Sequence, residues 1–262
     1  MKALTITFTL LFIACALPLF GQNPLVGTWE RQTDSIWAMK IITPTHWIIF
    51  IEALHGDSNK FIRSHGGVYT LHNNKYIEHL DIASWDNKSD LSLTDYTYKV
   101  EGDKFYQNGT LILSDGTVTP IDEVWQRVST AQSNPNYPAI GTWDLLSSSY
   151  TGEEGKKETL TNATATRFEI ITPTHWMRIS HRDHAFESAM GGTYTSEGNK
   201  ASLKVAFATF PIDKIEKIEV TEKVSRDKRS STGIITGPAG KTITAFEEVY
   251  KRAAGKRQSA NK

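Results

Sequence analysis

Ile41-Ile42-Thr43-Pro44-Thr45-His46-Trp47 recurs without change as Ile170-Ile171-Thr172-Pro173-Thr174-His175-Trp176, and three further blocks echo around it in the same order. Val26-Gly27-Thr28-Trp29-Glu30 returns as Ile140-Gly141-Thr142-Trp143-Asp144, and Gly66-Gly67-Val68-Tyr69-Thr70 as Gly191-Gly192-Thr193-Tyr194-Thr195. Glu123-Val124-Trp125-Gln126-Arg127 returns as Glu248-Val249-Tyr250-Lys251-Arg252. Matched blocks in one order mark a tandem duplication. The stretch Ser129 to Pro138, rich in Ser, Asn, Gln and Pro, reads as a linker. The copies are therefore placed at 24–129 and 139–253, with the linker at 130–138 and a small, polar, basic tail at 254–262.

Within the first copy, alternating segments rich in Trp, Tyr, Ile, Val and Thr predict strands near 26–33, 36–43, 45–53, 66–72, 75–83, 92–100, 104–113 and 121–128. His72-Asn73-Asn74, Glu101-Gly102-Asp103 and Asp115-Gly116 supply hairpin turns. No helical period runs longer than a turn. Eight short antiparallel strands point to an all-β closed barrel or a sandwich, and closure removes the exposed edges.

Ahead of the first copy, Lys2 and an uncharged apolar run from Ala3 to Phe20 read as a signal peptide over 1–21, cut near Gly21. Export to the periplasm or the medium is the expectation. Phe12-Ile13-Ala14-Cys15 loosely resembles a bacterial lipidation box, so anchoring through Cys15 is the alternative. Cutting at Gly21 leaves no cysteine, hence no disulfide and no thiol chemistry. Lys plus Arg total 29 against 29 Asp plus Glu, with no basic patch to suggest nucleic acid.

Gly-Thr-Trp on the first strand, with an Arg ending the last, resembles the calycin superfamily. There the Trp packs at the closed end of the barrel under a cationic side chain, which implies the pairs Trp29 with Arg127 and Trp143 with Arg252. The first copy also resembles small exported lipocalin-like proteins of Bacteroidetes. The resembling text is 41–47, 66–71, Tyr76-Ile77-Glu78-His79, the hairpin Gly102 to Gly109, and 123–127. The resemblance implies two tandem eight-stranded antiparallel lipocalin-like barrels. The second copy has Ala201-Ser202-Leu203-Lys204 where the first has Tyr76 to His79, and it lacks the Phe-Tyr-Gln-Asn-Gly hairpin.

Strand periodicity places alternate side chains on one face. His46, Tyr69, Glu78 and Glu123 are expected to converge inside the first barrel, where a buried Glu beside a His could relay protons. His46 and Glu78 are thus the candidate catalytic pair, and Tyr69, Tyr76, Glu123 and Arg127 the candidate ligand contacts. The alternative for His46 is a satisfied histidine in the turn-to-strand joint, because it recurs as His175. The pairs His181/His184 and His55/His65 lack the third ligand that zinc demands, so no metal and no cofactor is expected.

The leading expectation is an exported binding protein whose first barrel holds a small, partly apolar ligand, lipid-like or saccharide, with the second barrel as a divergent structural partner. A metal-independent acid/base enzyme using Glu78 and His46 is the alternative. A structural surface protein, with barrels filled solid by aromatic side chains, is the third.

Overall fold

The computed structural model describes residues 23–55, 58–85, 94–112, 116–128, 134–152 and 154–255. The leader, Cys15, Asp115 and most of the tail lie outside them. The first barrel comprises β1 (Gly27–Gln32), β2 (Ile36–Ile42), β3 (His46–His55), β4 (Ser58–His72), β5 (Lys75–Ala83), β6 (Thr94–Glu101), β7 (Lys104–Ile112) and β8 (Val118–Arg127). Each strand pairs with its sequence neighbour, and β1 pairs with β8 to close the ring. Asn73 (φ 55°) and Gly102 (φ 57°) supply the left-handed backbone that the two tight hairpins need. β4 starts well before its apolar stretch because the end of β3, from Glu52 to His55, offers it a ladder.

The second copy contains β9 (Gly141–Gly152), β10 (Lys157–Thr161), β11 (Ala165–Ile171), β12 (His175–Arg182), β13 (Ala185–Glu197), β14 (Lys200–Ala208), β15 (Lys217–Val224), β16 (Lys228–Thr236) and β17 (Thr242–Arg252). β9 closes this barrel against β17. It is long enough to serve two partners on its other edge: Gly141–Asp144 pairs with β11 and Ser147–Thr151 with β10. β10 is therefore a ninth strand flanking an eight-stranded ring.

The repeated blocks occupy the positions that shape a barrel. In Thr43-Pro44-Thr45-His46, the His46 amide donates to Thr43 Oγ1 (3.0 Å) and the Thr43 amide to the His46 carbonyl (2.8 Å). Thr172 and His175 repeat both bonds. The Tyr69 hydroxyl ties this turn down by donating to the Thr43 carbonyl (2.7 Å), as Tyr194 does to Thr172 (2.6 Å). Each Gly-Gly pair sits at a β-bulge, with a register shift at Gly66/Gly67 and at Gly191/Gly192. A Cβ on Gly66 would stand 2.5 Å from the Trp47 carbonyl oxygen, so the strand can bend there only with glycine. The closed ends match as well. Trp29 and Trp143 donate their indole N–H to Leu25 and Ala139, both at 2.7 Å, and carry the guanidinium of Arg127 at 4.0 Å and of Arg252 at 4.3 Å.

β2, β3, β11 and β12 are buried on both faces because each face has a core to join. Inward, Ala38, Ile42, Trp47, Ile49 and Ile51 pack in the first barrel. Outward, Met39, Ile41, Ile48 and Phe50 meet Phe168, Ile170, Met177 and Ile179 of the second barrel in a shared core. Phe50 and Phe207 rings lie 4.5 Å apart, and Phe61 stacks on Phe186 at 5.7 Å. The repeated text thus sets the same outer strand faces of the two copies against each other, with Thr43 Oγ1 3.2 Å from Thr142 Oγ1.

His46 lies in this seam, 2% exposed, its ring 5.5 Å from that of Phe168. Burial lowers its pKa to about 4, with Asp81 pulling weakly the other way, and burial alone lowers His175 to about 4. Both residues fold as neutral rings, so between about pH 6.5 and 4 the unfolded chain binds more protons and stability is lost as the pH is lowered. Replacing His46 by Gln is expected to flatten that part of the fall, read as urea midpoints for wild type and H46Q across the window. Parallel curves would show that His46 remains protonatable in the fold.

Candidate ligand-binding site

In the first barrel, alternation on β2 aims Lys40 at the axis between Ala38 and Ile42. Its Nζ lies 2.9 Å from Glu78 Oε1 and 2.8 Å from Gln107 Oε1. Around it stand the rings of Trp125 (5.1 Å), Trp47 (5.3 Å), Tyr76 (5.6 Å) and Phe105 (5.9 Å). Lys40 is 2% exposed and Glu78 6%. A buried ammonium needs both a counter-charge and hydrogen bonds, and this cage supplies them from β5 and β7.

Of the residues singled out from sequence, Tyr69, Tyr76 and Glu78 come together. Tyr69 pairs across the ladder with Glu78, and its ring meets that of Tyr76 edge-on at 5.3 Å. Glu78 is already committed to Lys40, and the Tyr69 hydroxyl to Thr43 and Asn23. Glu123 accepts from the indole of Trp125 at 3.1 Å and lies 3.6 Å from Arg31. His46 and Glu78 are not brought together. His46 shares the outer face of β3 with Ile48 and Phe50, whereas Glu78 points into the barrel, so the wall separates the proposed proton-relay pair. Arg127 also stands apart, donating to the carbonyls of Val26 (2.9 Å) and Pro24 (2.7 Å) at the closed end. Lys40 was missed in the sequence reading, although a lone charge between inward apolar positions on β2 is a legible signal.

Equivalent ladder pairs align the two interiors. Tyr69 faces Glu78 as Tyr194 faces Leu203, Tyr76 faces Tyr96 as Ala201 faces Val220, and Phe105 faces Trp125 as Arg229 faces Tyr250. The same alignment sets Glu169 at the place of Lys40, Arg178 at that of Ile49 and Glu222 at that of Tyr98. The second barrel has therefore exchanged aromatic bulk for small or charged side chains.

Its charges form two groups. Arg229 Nη2 donates to Glu169 Oε2 at 2.7 Å, and its Nε lies 3.9 Å from Glu222 Oε2. Burial opposes the Arg229 charge, but Glu169 and Glu222 outweigh it and hold the guanidinium firmly protonated. Burial, only partly offset by Arg229, raises Glu222 to about 7. In the second group, Glu248 is paired with Arg167 and accepts from the hydroxyls of Tyr150 and Tyr250, both at 2.7 Å. Burial works against its charge, yet Arg167, Arg178 and the two hydroxyls bring its pKa down to about 2. Arg178 stands 3.8 Å from Glu248 and makes no hydrogen bond among the described residues.

An enclosed cavity of about 30 Å³ lies among Arg178, Glu222, Arg229, Ser231 and Ile235. Arg178 and Ile235 also line a wider cleft of about 460 Å³ at the barrel's open end. That cleft runs between the β14–β15 loop, with Phe210, Pro211, Lys214 and Ile215, and the β16–β17 loop, with Pro238 and Lys241. Met190 and Ile243 complete an apolar wall. A broad groove of about 790 Å³ on the same barrel carries the outward side chains of Ser149, Thr151, Ser202, Thr221, Thr232 and Glu247. It exposes hydroxyls and carboxylates to water without a convergent anchor. Among the described residues no group of three or more His, Cys, Asp and Glu side chains could hold a metal ion. His181 is turned to the Ala83 carbonyl (2.6 Å), and His184 is exposed in the following turn.

The sequence matches no protein-family model and no curated protein. Two solved structures are similar over 88% of this chain, each at 9% identity. One is a protein with unknown function from the DUF3598 family of Nostoc punctiforme, covered over 97% of its length with a TM-score of 0.27. The other is Rv2717c from M. tuberculosis, covered over 94% with a TM-score of 0.24. Similarity at that level carries nothing about fold or activity, and the architecture rests on the strand pairing itself.

The Lys40–Glu78 pair yields a test of the cage. Lys40→Met leaves Glu78 buried without its counter-charge and is expected to cost about 3–5 kcal/mol in urea unfolding. Adding Glu78→Leu, the residue that the second barrel carries at this place, is expected to recover most of that loss. A double variant no more stable than K40M would assign the cost to packing instead.

Proposed function

We propose that this protein is an exported carrier that holds a small, partly apolar molecule at the mouth of the second barrel. One observation carries the reading. The apolar cleft between the β14–β15 and β16–β17 loops opens directly onto Arg178, a guanidinium with unused donors. Ligand sites combine a mostly apolar wall with a few convergent polar groups, and small barrels place them at the mouth.

The first barrel is the weaker candidate for the ligand. Trp29, Trp47, Tyr76, Phe105 and Trp125, each no more than 1% exposed, fill its interior around Lys40. The roles expected of the copies are accordingly exchanged in this reading. The first barrel is the solid partner, and the second supplies the space between the loops at its open end. A carrier is favoured over an acid/base enzyme because His46 and Glu78 face opposite sides of the barrel wall. The apolar leader supports the exported location.

The reading is tested by titrating the protein with a neutral, environment-sensitive apolar fluorophore. One saturable site is expected, with affinity lowered about tenfold or more by Ile243→Glu, since a hydrated carboxylate takes the place of the apolar wall against which the dye lies. Val124→Glu, at an exposed site on the first barrel, is expected to bind like wild type. Absence of binding, or binding indifferent to I243E, would remove the cleft as the site.

A further inference from the structure

Beneath the mouth, two residues that line the small cavity keep buried polar atoms without hydrogen bonds. Glu222 Oε2 has no hydrogen bond, and neither do Nε and Nη1 of Arg229, although all three atoms are buried. Arg229 Nε and Glu222 Oε2 lie 3.9 Å apart, beyond hydrogen-bond reach. Their remaining contacts fix them there: Arg229 Nη2 is held by Glu169, its guanidinium lies 4.1 Å over Tyr250, and Glu222 Oε1 accepts from Ser231 at 3.1 Å. Unsatisfied buried polar atoms are costly, so a group that completes them binds with advantage.

The identity of that group follows from what each side lacks. Above the Glu222 pKa of about 7 its carboxylate oxygen needs a donor, and the guanidinium nitrogens need an acceptor. An ammonium only donates and a carboxylate only accepts, whereas a hydroxyl does both through one oxygen. The cavity, about 30 Å³, has room for a group the size of a hydroxyl or a water. Arg178, which lines both the cavity and the cleft above, stands beside this position with donors to spare.

On the reading of the mouth as the ligand site, we infer that the ligand is a hydroxyl-bearing anionic amphiphile, a hydroxy acid in its simplest form. Its apolar body lies against Met190, Phe210, Ile215 and Ile243, and its acidic group pairs with Arg178. Its hydroxyl reaches into the cavity, donating to Glu222 Oε2 and accepting from Arg229. The first barrel cannot copy this head site, because Ile49, Tyr98 and Phe105 stand where Arg178, Glu222 and Arg229 stand in the second.

Calorimetric titration of the full chain with four probes tests this: decanol, decanoate, and decanoate with a hydroxyl on its second or third carbon. One hydroxydecanoate is expected to bind about tenfold or more tighter than decanoate, and decanoate tighter than decanol. Arg178→Met is expected to erase the advantage of the acid over the alcohol. Glu222→Leu is expected to erase the advantage of the hydroxyl, so that both hydroxydecanoates bind that variant no tighter than decanoate does. Decanoate binding as well as both hydroxy acids would overturn the inference and assign the cavity to a resident water. Decanol binding as well as decanoate would overturn it at Arg178. Either result leaves the apolar cleft standing as a site, whereas silence from every probe together with failure of the neutral dye would remove the cleft as well. Should E222L not fold, the ranking of the four probes on the wild-type chain decides.

Discussion

Both faces of β2, β3, β11 and β12 must be buried, and most of the architecture follows from that requirement. A strand in a lone barrel turns one face to water. Here the outer faces carry Met39, Ile41, Ile48 and Phe50 on one side and Phe168, Ile170, Met177 and Ile179 on the other. A fully buried side chain of this size is worth about 1.5–3 kcal/mol relative to exposure, so a solvent-exposed version of either face would be both unstable and sticky. Joining the barrels back to back gives each face its partner. The Thr-Pro-Thr-His turns then fall at the seam, which is why their histidines fold neutral and why neither can act inside a barrel.

With the outer walls committed, the interiors are where the copies diverge. The first barrel uses large rings to fill its volume and places a single ammonium among them, balanced by Glu78. The second replaces Tyr76, Tyr96 and Phe105 by Ala201, Val220 and Arg229. Lost ring volume must be taken up by charge, water or ligand, because protein interiors tolerate few voids. Arg167, Arg178 and Arg229 balance Glu169, Glu222 and Glu248, but the pairing is uneven. Glu248 is saturated with partners, whereas Glu222 and Arg229 keep atoms in reserve beside a cavity. Reserve of that kind is expensive in a purely structural core and useful in a binding site.

Asymmetry between duplicated barrels thus has a physical meaning. Features common to both copies, namely the Trp–Arg stack, the tyrosine tied to the turn carbonyl and the Gly-Gly bulge, are what closure and curvature demand. Features found in one copy alone are free of that demand. Glu78 belongs to this second class, yet its partner is Lys40, so its role in the first barrel is to neutralise a buried charge. In the second barrel the unshared residues line open space.

The sequence alone determined the duplication and the strands and tight hairpin turns of the first ring, because local periodicity, turn chemistry and repeated text are properties of neighbouring residues, whereas ring closure and the closed-end stacks were implied only by family resemblance. It also placed Glu78 beside Tyr69 and Tyr76. Which face of β3 looks inward could not be read from it, since both faces are equally apolar, and that ambiguity put His46 inside the barrel. Nor could it reveal that Lys40 meets Glu78, or that Arg178 and Glu222 border one cavity, because those meetings join strands far apart in the chain. Only ring closure and the packing of one barrel on the other decided them, and the physical reason is that burial is a property of what lies opposite a side chain, which no run of adjacent residues contains.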